Sequence, residues 1–300
     1  MEDFDVSNFK KNMSFKSNKK SIFILFIILI SMASWQIYLK KSIFYMPKEY
    51  RLIKKLVNKI AYKNDLGVDN INFTIITGSH AAYLSKQLGI CKEEDCYYIQ
   101  NLNPFNNYEN LKGFNLNEIL NQSYLLNGLE AYAWSSGTIQ ISRSTFPFFG
   151  KRKDFIGCII SHELAHLKKE HVFKSKFEYH QELKSNKSNS SLSESDKLHI
   201  ERKIDRNFET EADQISSKMM YLAGYRKELC LDALKNYGIR EAFEFDTSPE
   251  STHPGYKERV KNLEEFIKNN LGDNKQVTQV KRKWKWKYDR KKNYLLFEYI

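Results

Sequence analysis

Cysteine is scarce in this chain, with only Cys91, Cys96, Cys158 and Cys230 among 300 residues. The four lack zinc-finger spacing, which excludes a small cysteine-held metal module. Cys91 and Cys96 close a short loop whose thiols either pair in an oxidising compartment or stay free. Cys158 falls on the apolar side of a helix and reads as a small core residue. Internal repeats are absent. Acidic residues fall short of basic ones, 36 against 48, for a net charge of +12. Such an excess admits nucleic acid or an anionic membrane as partner. In a chain so rich in Lys, Asn and Ile, however, most lysines read as solvated surface. Long uncharged apolar runs are limited to one, at 22–39, which argues against a multi-span protein. The apolar content, 41%, suffices for a real core.

Residues 22–39 contain no charge and lie between Lys19-Lys20 and Lys40-Lys41. At about 1.5 Å per residue the run just reaches across a bilayer core of roughly 30 Å. Trp35 and Tyr38 sit near one end, where interfacial aromatics belong. The rival reading is a cleaved signal peptide, with an apolar stretch at 22–30 and a small-x-small site at Ser31-Met32-Ala33. Apolar character resumes after Ala33, so an uncleaved single-pass anchor in contact with lipid is the expectation. Lysines flank both sides and leave orientation nearly unreadable. A short N-terminal tail usually stays inside, which places the rest of the chain on the extracytoplasmic side. Signal cleavage would instead give a secreted or periplasmic protein.

Residues 162–166 read His-Glu-Leu-Ala-His. On a helix, His162 and His166 share a face and can hold one zinc ion. Glu163, beside them, can take a proton from water that the ion acidifies from a pKa of about 15.7 to roughly 7. A third ligand is needed. In Phe208-Glu-Thr-Glu-Ala-Asp213, Glu209 and Asp213 are four apart and share a helical face. Glu209 can then reach the metal while Asp213 accepts the outward N–H of a zinc histidine. Glu211 points elsewhere and is a poorer ligand. His253, in Ser251-Thr-His-Pro254, is the best remaining candidate for a catalytic donor near the oxyanion. His171 reads as exposed at the helix end, and His80, His180 and His199 as surface residues.

The pattern divides the chain into a basic tail (1–21), the anchor (22–39), a helix-strand region (40–115), a metalloprotease domain (116–270) and a basic-aromatic tail (271–300). Helical spacing marks 47–66, and a strand follows at 71–77. A helix near 115–126 precedes two short strands, 130–134 and 138–142, turning at Ser135-Ser136-Gly137. The zinc helix starts at Asp154 and runs to about Phe173. Residues 184–197 have almost nothing to bury and read as a mobile polar loop. Long helices follow at 196–223 and 226–237. In 280–288, Trp284, Trp286 and Tyr288 alternate with lysines, and a second apolar strand follows at 294–300. Basic-aromatic strands can stack bases, but tryptophans on a core with lysines in water is the favoured reading, so nucleic acid is not an expected partner.

Four blocks carry a family resemblance: Glu130–Ser142, Gly157–His171, Arg206–Asp213 and Ser251–Val260. Together they resemble the Glu-zincin metallopeptidases of family forty-eight, which include prenyl-protein, heat-shock membrane and mitochondrial stress proteases. The resemblance implies an α+β, mainly helical, zincin-like domain with a small sheet whose edge strand lines the cleft. It implies that His162, His166 and Glu209 bind one zinc ion, that Glu163 is the base and that Asp213 orients a ligand. It further implies that Ala131, Tyr132, Ala133 and Trp134 pair with an extended substrate, and that His253 and Arg259 form the family's His-Pro…Arg element. Glu130 stands where the family often has Asn. The single span is closest to one-span or envelope members, which handle misfolded membrane or envelope proteins. The expectation is therefore a membrane-associated zinc endopeptidase acting on polypeptides. The alternative is a client-binding, chaperone-like protein whose zinc site rarely cleaves.

Overall fold

A computed structural model describes residues 19–89, 103–105, 113, 115, 118, 122, 129–186, 192–240, 246–272 and 280–300. The chain forms two units, residues 1–47 and 48–300. The first contains helix α1 (Lys19–Tyr45). Its described side chains, 23–37, are all exposed, including Phe23, Phe26 and Trp35. No helix among the described residues is long and apolar enough to cross a membrane.

The second unit opens with α2 (Lys48–Ala61), whose Ile53, Leu56, Val57 and Ile60 are buried at helical spacing. Strand β1 (Asn70–Ile76) and helix α3 (Ser79–Gln87) follow. The hairpin expected at 130–142 forms as β2 (Ala131–Trp134) and β3 (Thr138–Ser142). Gly137 turns it with φ 79°, a left-handed value that suits glycine. After one helical turn, α4 (Thr145–Phe148), comes α5 (Lys153–Lys169), which carries both histidines of the motif. Helices α6 (His171–Asn186), α7 (Glu194–Leu222), α8 (Leu229–Arg240) and α9 (Tyr256–Asn270) complete the helical layer. The chain closes with β4 (Trp284–Asp289) and β5 (Tyr294–Tyr299).

Among the described residues, five strands make one mixed sheet in the order β2-β3-β1-β5-β4. Only β1 and β3 run parallel. The C-terminal hairpin is thus part of the same sheet as β1. Trp284 and Trp286 both donate their indole N–H to Asn58 Oδ1 of α2 at 2.8 Å, while Lys283, Lys285 and Lys287 are exposed. Buried Tyr50 of α2 ties the pieces together. Its hydroxyl donates to the Asn293 carbonyl (2.8 Å) and accepts from the Ile75 N–H (3.0 Å).

Helices α5 and α7 pack side by side through Gly157. A Cβ there would lie 2.5 Å from the terminal methyl of Met220, which fills the space the glycine leaves. The polar stretch expected as a loop at 184–197 is mostly regular where it is described. α6 runs to Asn186, and α7 begins at Glu194 behind a capping box between Ser193 and Asp196. At 193–196 a helix cap, rather than burial, organises the polar residues. Cys158 is not a lone core thiol: it is disulfide-bonded to Cys230, joining α5 to α8. Cys91, Cys96 and most of the helix expected at 115–126 lie outside the described residues.

Candidate metal centre and active site

Three helices deliver the central groups. α5 supplies His162, Glu163 and His166, α7 supplies Glu209 and Asp213, and α9 supplies Arg259. His162 Nε2 lies 3.0 Å from His166 Nε2 and 3.2 Å from Glu209 Oε2, and His166 Nε2 lies 3.4 Å from Glu209 Oε1. Four-coordinate zinc with bonds of about 2.0–2.1 Å has ligand–ligand edges of roughly 3.3 Å. The two imidazole nitrogens and the Glu209 carboxylate therefore converge at the spacing that one zinc ion requires. They are the one cluster of metal-binding type among the described residues.

Electrostatics distinguish the two histidines. Burial opposes a charge on His162, but hydrogen bonds to Asp213 and Glu209 outweigh it and raise its pKa to about 10. Burial, reinforced by the neighbouring His162, lowers His166 to about 3. Burial pushes Glu209 upward, yet its bonds to His162 and His253 hold it well below the ordinary carboxylate range. Asp213 is likewise buried, and the Arg259 guanidinium dominates to keep it strongly acidic.

Glu163 is buried beside the ligand set and points to β2. Burial raises its carboxyl to about 7, although the Ala133 backbone N–H donates to it. That amide is available because of strand geometry. The carbonyls of Glu130 and Trp134 bond toward the β3 side, to Ser142 N–H and Gly137 N–H at 2.9 Å each. By alternation, the backbone groups of Ala131 and Ala133 face the outer edge of the sheet. Ala133 N–H meets Glu163 there. Tyr132 and Trp134 are exposed, and the Trp134 indole donates to Gln140 Oε1 at 3.0 Å. Glu130, in place of the family's frequent Asn, accepts the Ser79 N–H at 3.0 Å and anchors the start of α3.

His253 approaches from the loop before α9, its Nε2 3.2 Å from Glu209 Oε2. Arg206 of α7 pins that loop by donating to the carbonyls of Ser248, Pro249 and Ser251 at 3.3, 3.1 and 2.9 Å. A cavity of about 590 Å³ opens beside His162 and Glu163. Its apolar wall includes Leu129, Cys158, Ile159, Ala233, Leu234 and Tyr237.

A family model, peptidase family M48, matches residues 105–267, just over half of the chain. The chain belongs to peptidase family M48. No curated protein and no solved structure matches it. The M48 segment carries every residue of the ligand set, together with β2, Asp213, His253 and Arg259.

The structure brings His162, Glu163, His166, Glu209, Asp213 and His253 together, with Ala131 and Tyr132 lining the cavity and the Ala133 N–H on Glu163, whereas the Trp134 side chain bonds to Gln140 instead. His80, His180 and His199 are exposed and stand apart from the ligand set. One expectation fails: His171 is 2% exposed, not a surface residue. A continuous helix to Phe173 would have turned it outward. Instead Glu170 takes a left-handed conformation (φ 56°), ends α5 and turns His171 inward. Glu211, set aside as a ligand, pairs with His171 Nε2 at 3.3 Å.

Proposed function

We propose that this M48 chain is a membrane-anchored zinc endopeptidase that hydrolyses extended or misfolded polypeptides. The observation that carries the reading is the convergence of His162 Nε2, His166 Nε2 and the Glu209 carboxylate at zinc-ligand spacing, next to a buried carboxyl at Glu163. Bound there, zinc supplies a Lewis acid that acidifies water and polarises the scissile carbonyl. The remaining steps belong to the chain. The outer edge of β2 aligns an extended peptide by strand addition. Glu163, with a pKa of about 7, accepts the proton of the attacking water on a carboxylate oxygen and returns it to the leaving amine. His253 Nε2–H donates toward the developing oxyanion. Asp213 accepts the His162 Nδ1–H and so keeps the Nε2 lone pair facing the metal. The apolar cavity wall favours a bulky apolar side chain near the scissile bond.

Two features support the location. α1 presents apolar side chains around its whole described surface, which suits lipid rather than water. The Cys158–Cys230 bond suits an oxidising, extracytoplasmic compartment. The first favours the uncleaved anchor, and the second favours a peptidase unit outside the cytoplasm, anchored or released.

The test is chelator-reversible hydrolysis of an unfolded polypeptide by the purified chain, with alkaline extraction of membranes to check anchoring. Activity that vanishes on chelation and returns with zinc supports the reading. A zinc-loaded chain that leaves unfolded polypeptides intact overturns it.

A further inference from the structure

We infer that His171 is a positioning residue for the metal ligand His166, passing the hold of Glu211 inward through a chain of directed hydrogen bonds. The inference rests on the zinc-site reading above and extends it to residues outside the ligand set. His166 has two ring nitrogens with different neighbours. Nε2 faces His162 and Glu209. Nδ1 faces His171 Nδ1 at 3.1 Å. Two nitrogens at that distance bond only if one donates and the other accepts. An Nε2 that binds a metal must present its lone pair, so His166 carries its proton on Nδ1. His171 Nδ1 is then the acceptor, and His171 carries its own proton on Nε2. That proton points at Glu211 Oε2, 3.3 Å away. Lys169 Nζ lies 2.6 Å from the other oxygen of Glu211 and keeps that carboxylate charged. Every donor in the series therefore has a single direction.

The ring is also fixed in place. His171 stacks on Phe208 of α7, centroids 4.6 Å apart and planes 29° apart. Its Nδ1 lies on the side of His166 away from the ligand set, so it is not itself a ligand. The two zinc histidines thus have different supports. His162 leans on Asp213, which Arg259 holds, whereas His166 leans on His171, then Glu211, then Lys169.

The experiment measures zinc affinity of the full chain by competition with a chromogenic chelator, without substrate. His171→Phe keeps a flat ring against Phe208 but removes the acceptor. The expected loss is about 10–100-fold in affinity, with the thermal midpoint of the metal-free protein unchanged. His171→Asn restores an acceptor close to the Nδ1 position and is expected to keep most of the affinity. Glu211→Gln, at a half-exposed position that folding tolerates, is expected to give a smaller loss and stands in if His171→Phe does not fold. Cobalt-substituted His171→Phe is expected to show an altered visible spectrum. Wild-type affinity in both His171→Phe and Glu211→Gln overturns the inference and leaves the peptidase reading intact. A loss in His171→Asn as large as in His171→Phe also overturns it, because packing alone would then explain the residue. A wild-type chain that binds no zinc overturns both readings.

Discussion

Arg259 grips Asp213 with two nitrogens, Nε to Oδ2 at 2.9 Å and Nη2 to Oδ1 at 2.8 Å. The same Oδ1 lies 3.0 Å from His162 Nδ1. One carboxylate thereby joins α5, α7 and α9 at the wall of the cleft. The two-pronged geometry needs a guanidinium, since an ammonium offers a point charge without the matching fork.

Truncating Arg259 is predicted to be costly. Arg259→Ala leaves the buried Asp213 charge without its partner, and breaking such a pair costs about 3–5 kcal/mol. Asp213 has a depressed pKa, so its contribution is present above the ordinary carboxylate value and is lost as pH falls through its lower folded value. The penalty should therefore be large at neutral pH and shrink in strong acid. Urea unfolding of the metal-free proteins across that range checks it. An Arg259→Ala protein as stable as wild type at pH 7 contradicts the account.

Zinc uptake is predicted to release a proton. In the metal-free chain His162 is held protonated up to about pH 10, while His166 is already neutral and Glu209 already ionised. A metal on Nε2 must displace the His162 proton. Apparent affinity should rise about tenfold per pH unit between pH 7 and 9. The same group stabilises the metal-free fold fully below its ordinary value of 6.5, and this stability fades as pH rises through about 10. Calorimetry in buffers of different ionisation enthalpy reads the proton count directly, and a pH-independent affinity would contradict it.

Reducing Cys158–Cys230 is predicted to loosen the cleft. The bond spans a sequence separation of 72 and ties the zinc helix to α8, both of which line the cavity. Removing a disulfide of this kind typically costs about 2–4 kcal/mol. A thermal midpoint that drops by several degrees in reductant, and equally in Cys158→Ala/Cys230→Ala, is the expected result.

The helical spacing of residue types made much of this site legible. His162 and His166, then Glu209 and Asp213, each sit four apart, and local periodicity alone put each pair on one face. The β2–β3 hairpin was legible from its turn and alternation. What escaped depended on single dihedrals or distant packing. His171 looked exposed because nothing in Lys-Lys-Glu-His announces that Glu170 will turn left-handed. Cys158 looked solitary because its partner lies far along the chain. The insertion of β5 between β1 and β4 is equally non-local, decided by Tyr50 and Asn293 meeting across more than 240 residues.

The central claim is that Glu163 is the proton carrier of a zinc peptidase. The most direct measurement compares turnover of one unfolded polypeptide by the wild-type chain and by Glu163→Gln, both shown to hold one zinc per chain. The account predicts equal zinc content and a rate at least about 10²-fold lower in the variant. Equal turnover at equal zinc content would contradict it.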